Sequence, residues 1–306
     1  MYLYLPVALT SINILIPVGL GLVVGLLSGL FGVGGGFLMT PLLIMFGIPS
    51  TVAAATDSNQ IVAASTSGTY AHWRVGNVDF KMGLYLLVGG FAGGLLGVQA
   101  IKILKATGNA DFVIKMTYVL LLGTVGTYMF IESLSSMRKK KAEEEVRPEK
   151  ESGFTKFLKT LPLQTYFAKS GVTHSLLLPV IFGGFVGVLG AIMGVGGGFL
   201  MVPIMVYILR MPMHVVVGTS LFQILFNCIE VTFLQAYTNH TVDFVLAVLL
   251  LLGSTVGAQV GAVFGRKLKG EQLKIILAGI VLAVTIKIIF DLTLSPSLLL
   301  GQAGGH

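Results

Sequence analysis

Cysteine is almost absent from this 306-residue chain, Cys228 being the only one. One thiol cannot close an internal disulfide, and it rules out a metal site built from several cysteines; Cys228 reads as a small buried apolar residue. Charge is also scarce. Asp, Glu, Lys and Arg make up 11% of the residues, against about 25% in an average soluble domain. The net charge of +7 does not point to nucleic acid, because nine of the 20 Lys and Arg fall between Arg138 and Lys169, in one polar segment with five Glu. Charge gathered in this way reads as membrane-flanking. Enzyme signatures are missing: there is no "HExxH", no Ser/His pairing, and no haem or metal cluster. No cofactor is called for. The start, "MYLYLPVALTSIN", has no positive n-region and no small-residue cleavage site, so no cleaved signal peptide is expected.

What the chain has instead is apolar length. Hydrophobic residues make up 55% and the mean hydropathy is +0.90. Runs such as "ILIPVGLGLVVGLLSGLF" (14–31) and "FVLAVLLLLGSTVGAQVGAVF" (244–264) approach the roughly 20 residues that cross a bilayer. Alternating ten-residue segments, the mark of a transmembrane barrel, do not occur. The expectation is an all-α polytopic membrane protein.

A repeat organises it. "GVGGGFLMTP" (32–41) returns as "GVGGGFLMVP" (194–203), Gln60 aligns with Gln223, and "VDF" at 78–80 aligns with "VDF" at 242–244. Two membrane repeats, 1–136 and 171–306, are thus joined by a charged linker, 137–170, read as cytoplasmic with a short surface helix. Basic residues collect on the cytoplasmic side of short loops. If each half crosses four times, seven basic residues, including Arg210, Arg266 and Lys267, land on the wrong side. If "FLMTPLLIMFG" (37–47) and "FLMVPIMVYIL" (199–209) also count as crossings, only Lys102 and Lys105 do. Each half then has about five helical segments, eight full spans plus two short half-helices in all. The halves are inverted, and both termini are periplasmic. Eleven residues make a helix of only about 16 Å, so each short segment is expected to pair with the helix before it around a sunken break. Inverted repeats with broken helices recur in secondary transporters.

The break itself has chemistry. Three successive glycines, Gly34, Gly35 and Gly36, and their copies Gly196, Gly197 and Gly198, should stop one helix and let another start near Phe37 and Phe199. The first N–H groups of a new helix lack helical partners, and the positive end of its dipole favours an anion. Two such starts from inverted halves would converge on a central anion pocket. The competing reading is close helix packing, which glycine also permits in membranes. Polar residues on the next helices point to the same place. Thr56, Ser58, Asn59 and Gln60 follow the first break. Thr219, Ser220, Gln223 and Asn227 follow the second, and 219, 223, 227 and 230 share one helix face. Asp57 and Glu230 are intramembrane carboxylates, which makes each a candidate for a coupling proton. Their structural alternatives are a helix-start carboxylate at Asp57 and a helix-end or ion-paired position at Glu230.

The doubled "GVGGGFLM", the "TDSNQ" and "GTSLFQ" copies and the "NVDF"/"TVDF" loops resemble the sulfite exporter TauE/SafE family over nearly the whole chain outside 137–170. That resemblance implies two homologous halves in the bacterial inner membrane and a sulfite, organosulfonate or related small anion as cargo. It also implies export. An anion channel, or a carrier of another small solute, is the alternative. The second copy keeps the family's "GTSL" at Gly218–Leu221, whereas the first reads Ala55-Thr56-Asp57-Ser58. A carboxylate thus stands where the family often has serine.

Overall fold

The computed structural model describes residues 2–31, 36–139, 162–265 and 270–294. Strands β1 (Tyr2–Leu5) and β2 (Thr10–Asn13) form a hairpin that leads into helices α1 (Leu15–Phe31), α2 (Gly36–Met45), α3 (Ser50–Arg74), α4 (Phe80–Ala106) and α5 (Ala110–Lys139). A second hairpin, β3 (Gln164–Phe167) with β4 (Val172–Ser175), leads into α6 (Leu177–Met193), α7 (Gly198–Pro203), α8 (Met213–Leu234), α9 (Phe244–Gly265) and α10 (Gly270–Leu294). The molecule is predominantly helical, as expected, but it is not all-α. Both hairpins are antiparallel, with Leu5 opposite Thr10 and Phe167 opposite Val172. The second lies across position 170, where the linker was expected to end. The anticipated linker helix falls outside the described residues.

The two halves repeat at a spacing that grows along the chain. It is 162 residues from Phe37 to Phe199, 163 from Thr56 to Thr219 and 164 from Asp79 to Asp243. Each added residue coincides with one turn of π-helix, present among the described residues only in the second half. These turns are Ile204–Ile208, which continues α7, and Gln235–Asn239, which continues α8. A π turn holds one more residue than the α turn it replaces, so the register slips by one at each.

Helices pair across the halves: α1 lies on α9, α4 on α6, α3 on α8 and α5 on α10. Glycine permits the two closest pairings. A methyl group on Gly89 would sit 1.9 Å from the Val180 carbonyl oxygen, and one on Gly253 would sit 2.2 Å from that of Val18. α3 and α8 run antiparallel. The loop after α3 bonds the start of α8 through Asp79 and Thr219, and the loop after α8 bonds the start of α3 through Asp243 and Thr56. Among the described residues, three helices are long and apolar enough to cross a membrane alone: Phe80–Ala106, Ala110–Tyr128 and His214–Asn239. Five shorter apolar helices accompany them, including Gly36–Met45 and Gly198–Ile208.

Candidate functional site

The site is built where the two short helices begin. At the second break Gly194, Gly196 and Gly197 all take positive φ, at 74°, 66° and 79°. An L-residue with a side chain pays about 1–2 kcal/mol for that conformation, so glycine sets the break. α7 restarts at Gly198, and α2 starts at the matching Gly36, each one residue before the expected phenylalanine. Gly34 and Gly35 lie outside the described residues. Phe37 and Phe199, which follow Gly36 and Gly198, stack on each other with ring centroids 4.8 Å apart and planes 15° from parallel. The two helix starts therefore meet, with Phe37 and Phe199 buried in one apolar cluster.

Side chains of the first half satisfy carbonyls at the second break. Tyr118 Oη donates to the Met193 carbonyl, and Ser58 Oγ lies 3.1 Å from the Gly194 carbonyl and 3.3 Å from that of Ala54. The Met193 and Gly194 carbonyls are orphans of the end of α6, so Ser58 holds the break rather than offering a free hydroxyl. Ser220 Oγ turns back to the Val217 carbonyl at 3.0 Å. Thr56 and Thr219 also serve the frame, as acceptors for the Asp243 and Asp79 backbone N–H groups at 3.1 and 3.0 Å.

What stays unpaired forms a narrower set. Gln60 Oε1, both amide atoms of Gln223 and both of Asn227 are buried without a protein partner among the described residues. A buried polar group left so costs about 1–3 kcal/mol. Gln60 and Gln223 sit at matching places on the paired helices α3 and α8. Asn227 faces Gly90 of α4, and Glu230, one turn farther along, faces Gly94. Asn59 is half-buried and lies one step round α3 from Gln60. Gly196 abuts buried Cys228 and Ile224, Gly197 abuts Val186, and Gly198 is buried at the helix start.

Asp57 is fully buried. Its Oδ2 accepts from Thr40 Oγ1 at 2.9 Å, while Oδ1 has no partner. It is the eighth residue of α3, too deep for the helix-start role considered above. A methyl group on Gly36 would lie 3.5 Å from Oδ2, so the carboxylate sits beside the first turn of α2, the end of a helix that attracts negative charge. Glu230 is half-buried with Oε2 unpaired, and it makes no ion pair among the described residues.

Two further acids matter that sequence reasoning passed over. Asp79 caps α4, accepting from Met82 N–H at 3.0 Å, and it also accepts from Ser170 N–H at 3.1 Å and Ser170 Oγ at 2.5 Å in the other half's hairpin. Asp243 caps α9 through Leu246 N–H at 3.1 Å and accepts from Val7 and Ala8 N–H at 3.0 and 3.4 Å. Each half's aspartate is thus clasped by the hairpin of the other, at opposite ends of the α3–α8 pair. The doubled "VDF" marked the repeat. An Asp just before an apolar run is also a capping signal, but its cross-half partners are set only by the fold.

The model of the sulfite exporter TauE/SafE family matches residues 18–288. The chain belongs to the sulfite exporter TauE/SafE family. It is similar to the probable membrane transporter protein YjnA of Bacillus subtilis, 29% identical over 271 residues, covering 88% of this chain and 97% of that protein. It is also similar to the probable membrane transporter protein YunE of the same organism, 25% identical over 287 residues and covering 91% and 98%. Sulfite exporter TauE/SafE family protein 1 of Arabidopsis thaliana is 31% identical over 115 residues, which is 37% of this chain and 25% of that one. No solved structure matches. As a TauE/SafE family member the chain is a multi-pass membrane transporter, not an enzyme.

Proposed function

We propose that this TauE/SafE transporter is a secondary exporter of sulfite or small organosulfonate anions across the bacterial inner membrane. The reading is carried by the meeting of two helix starts at the Phe37–Phe199 stack, together with the buried atoms on the paired helices α3 and α8 that lack a protein partner among the described residues, Gln60 Oε1 and both amide atoms of Gln223 and Asn227. Amide N–H groups and helix N-termini together replace an anion's hydration without a fixed cation. Gly36, Gly196–Gly198, Asn59 and the Thr56–Ser58 and Thr219–Ser220 turns shape this pocket.

Two inverted halves, of about five helical segments each, move against one another to open the pocket alternately to either face. The antiparallel pairing of α3 with α8 supports the inversion. The second half begins at its hairpin, the linker is cytoplasmic, and both termini are periplasmic. Opening one face releases one aspartate clasp and leaves the other closed. Asp57 and Glu230 are the candidates for carrying a coupling proton. In proteoliposomes the protein should move sulfite or an alkylsulfonate saturably, and an imposed pH gradient should change the rate. Absence of flux for every sulfur oxyanion tested would sink the substrate assignment. Flux that never saturates and ignores all gradients would mark a channel instead.

A further inference from the structure

The two clasps are alike, but the mouths above them are not. Over the Asp79 clasp lies a cavity of about 470 Å³ lined by Trp73, Phe80, Tyr166, Lys81 and Lys169, with Asp79 in its wall. Lys81 is held in place: its Nζ donates to the Tyr166 carbonyl at 3.3 Å and lies 5.5 Å from the centre of the Phe167 ring. Lys169 makes no ion pair among the described residues and directly precedes Ser170, the clasp residue. The one acid in the wall already accepts three hydrogen bonds, from Met82 N–H and from Ser170 N–H and Oγ. The cavity is therefore cationic with aromatic sides.

At the other mouth the repeat places Val245 where Lys81 stands and Val7 where Lys169 stands. On that side Lys105 donates to the Asn239 carbonyl at 2.9 Å. Two repeats alike in their clasps thus differ in two charges at one entrance. A cleft of one sign concentrates counter-ions and speeds their capture, by tenfold or more.

We infer that the Trp73–Lys81–Lys169 cavity is a loading site for the transported anion on the linker side. The lysines hold the sulfo group and the aromatic walls cover a short organic tail, so an alkylsulfonate binds there more tightly than sulfite. The inference rests on the anion-transport reading above and adds to it a face of entry and an order of preference. The sulfo group of a solute and the phosphate of an anionic lipid share this chemistry, so the test separates them.

Trp73 is the only tryptophan in the chain, so its fluorescence reports the cavity. Detergent-solubilised full-length protein is titrated with ethanesulfonate and with sulfite at constant ionic strength. The expected result is a saturable change, tighter for ethanesulfonate, with apparent Kd raised about tenfold in the K81V/K169V variant. Both lysines are exposed, and a thermal melt checks that the variant folds. In proteoliposomes the same variant should raise KM about tenfold from the linker face and leave KM from the opposite face unchanged. No saturable response in the wild type, or equal Kd in the variant, overturns the proposal. So does a response driven by phosphatidylglycerol in nanodiscs that ethanesulfonate cannot reverse, which assigns the cavity to lipid. A saturable Trp73 response without any flux would leave the binding site standing and remove the transport reading. Flux without the response would do the reverse.

Discussion

Replacing Ser170 with alanine removes one hydroxyl from the linker-side clasp. In the structure Asp79 Oδ2 accepts from both the backbone N–H and the hydroxyl of Ser170, at 3.1 and 2.5 Å, and the residue is almost fully buried. A hydrogen bond to a charged group contributes about 1.5–3 kcal/mol. Ser170→Ala leaves the backbone bond and makes position 170 like its counterpart Ala8, whose N–H serves the opposite clasp beside that of Val7. Loss of about 2 kcal/mol from the closed state multiplies the open population on the linker face by roughly 30. Cys228 supplies the readout: it is the only cysteine, it is buried, and it abuts Gly196 at the break. A membrane-impermeant maleimide applied from the linker face should label it at least tenfold faster in Ser170→Ala than in the wild type. Labelling from the opposite face should be no faster. Ala8→Ser, which adds a hydroxyl to the other clasp, should slow labelling from that other face. Equal labelling rates in all three proteins would refute the idea that these clasps gate access.

Other perturbations separate structure from transport. Gly194→Ala places a side chain at φ 74° with its Cβ 1.9 Å from the Ala54 carbonyl oxygen, so the melting temperature should drop by several degrees; an unchanged melt would show that the break relaxes easily. Asn227→Leu replaces unpaired buried amide atoms with an apolar side chain, which should leave stability within about 1 kcal/mol while flux falls at least tenfold; retained flux removes Asn227 from the path. Asp57→Asn keeps the shape and the Thr40 neighbour but removes the carboxylate, and flux should lose its response to a pH gradient. A preserved response in that variant, together with its loss in Glu230→Gln, would move the coupling role to Glu230.

The breaks were legible because glycine there has no substitute: positive φ at Gly194, Gly196 and Gly197 is written directly as letters. The helix starts at 36 and 198 were therefore anticipated to within one residue. Pairing of the halves followed from the repeat. The hairpins were not seen, because four-residue strands in "MYLYL" and "QTYF" are too short for a period-two signal to stand out from apolar or linker sequence. The spacing drift from 162 to 164 was visible as an alignment slip. Its cause, two π turns, was not, since a π turn has no residue signature of its own. The polar stripe on α8 was read from its period, yet sequence could not say which members face an opening. Ser58, Thr56 and Thr219 turn out to hold backbone, while Gln223 and Asn227 keep their amides unpaired. Tyr118, sixty residues beyond Ser58, reaches the Met193 carbonyl only because α5 packs beside the break.

A structure of the protein with 2-bromoethanesulfonate, located by the anomalous signal of bromine, tests the central claim most directly. The sulfo group should lie beside the Phe37–Phe199 stack, within hydrogen-bond reach of the Gln223 and Asn227 amides. Bromine placed only outside the α3–α8 pair, with those amides still unpaired, would contradict an anion site at the paired helix breaks.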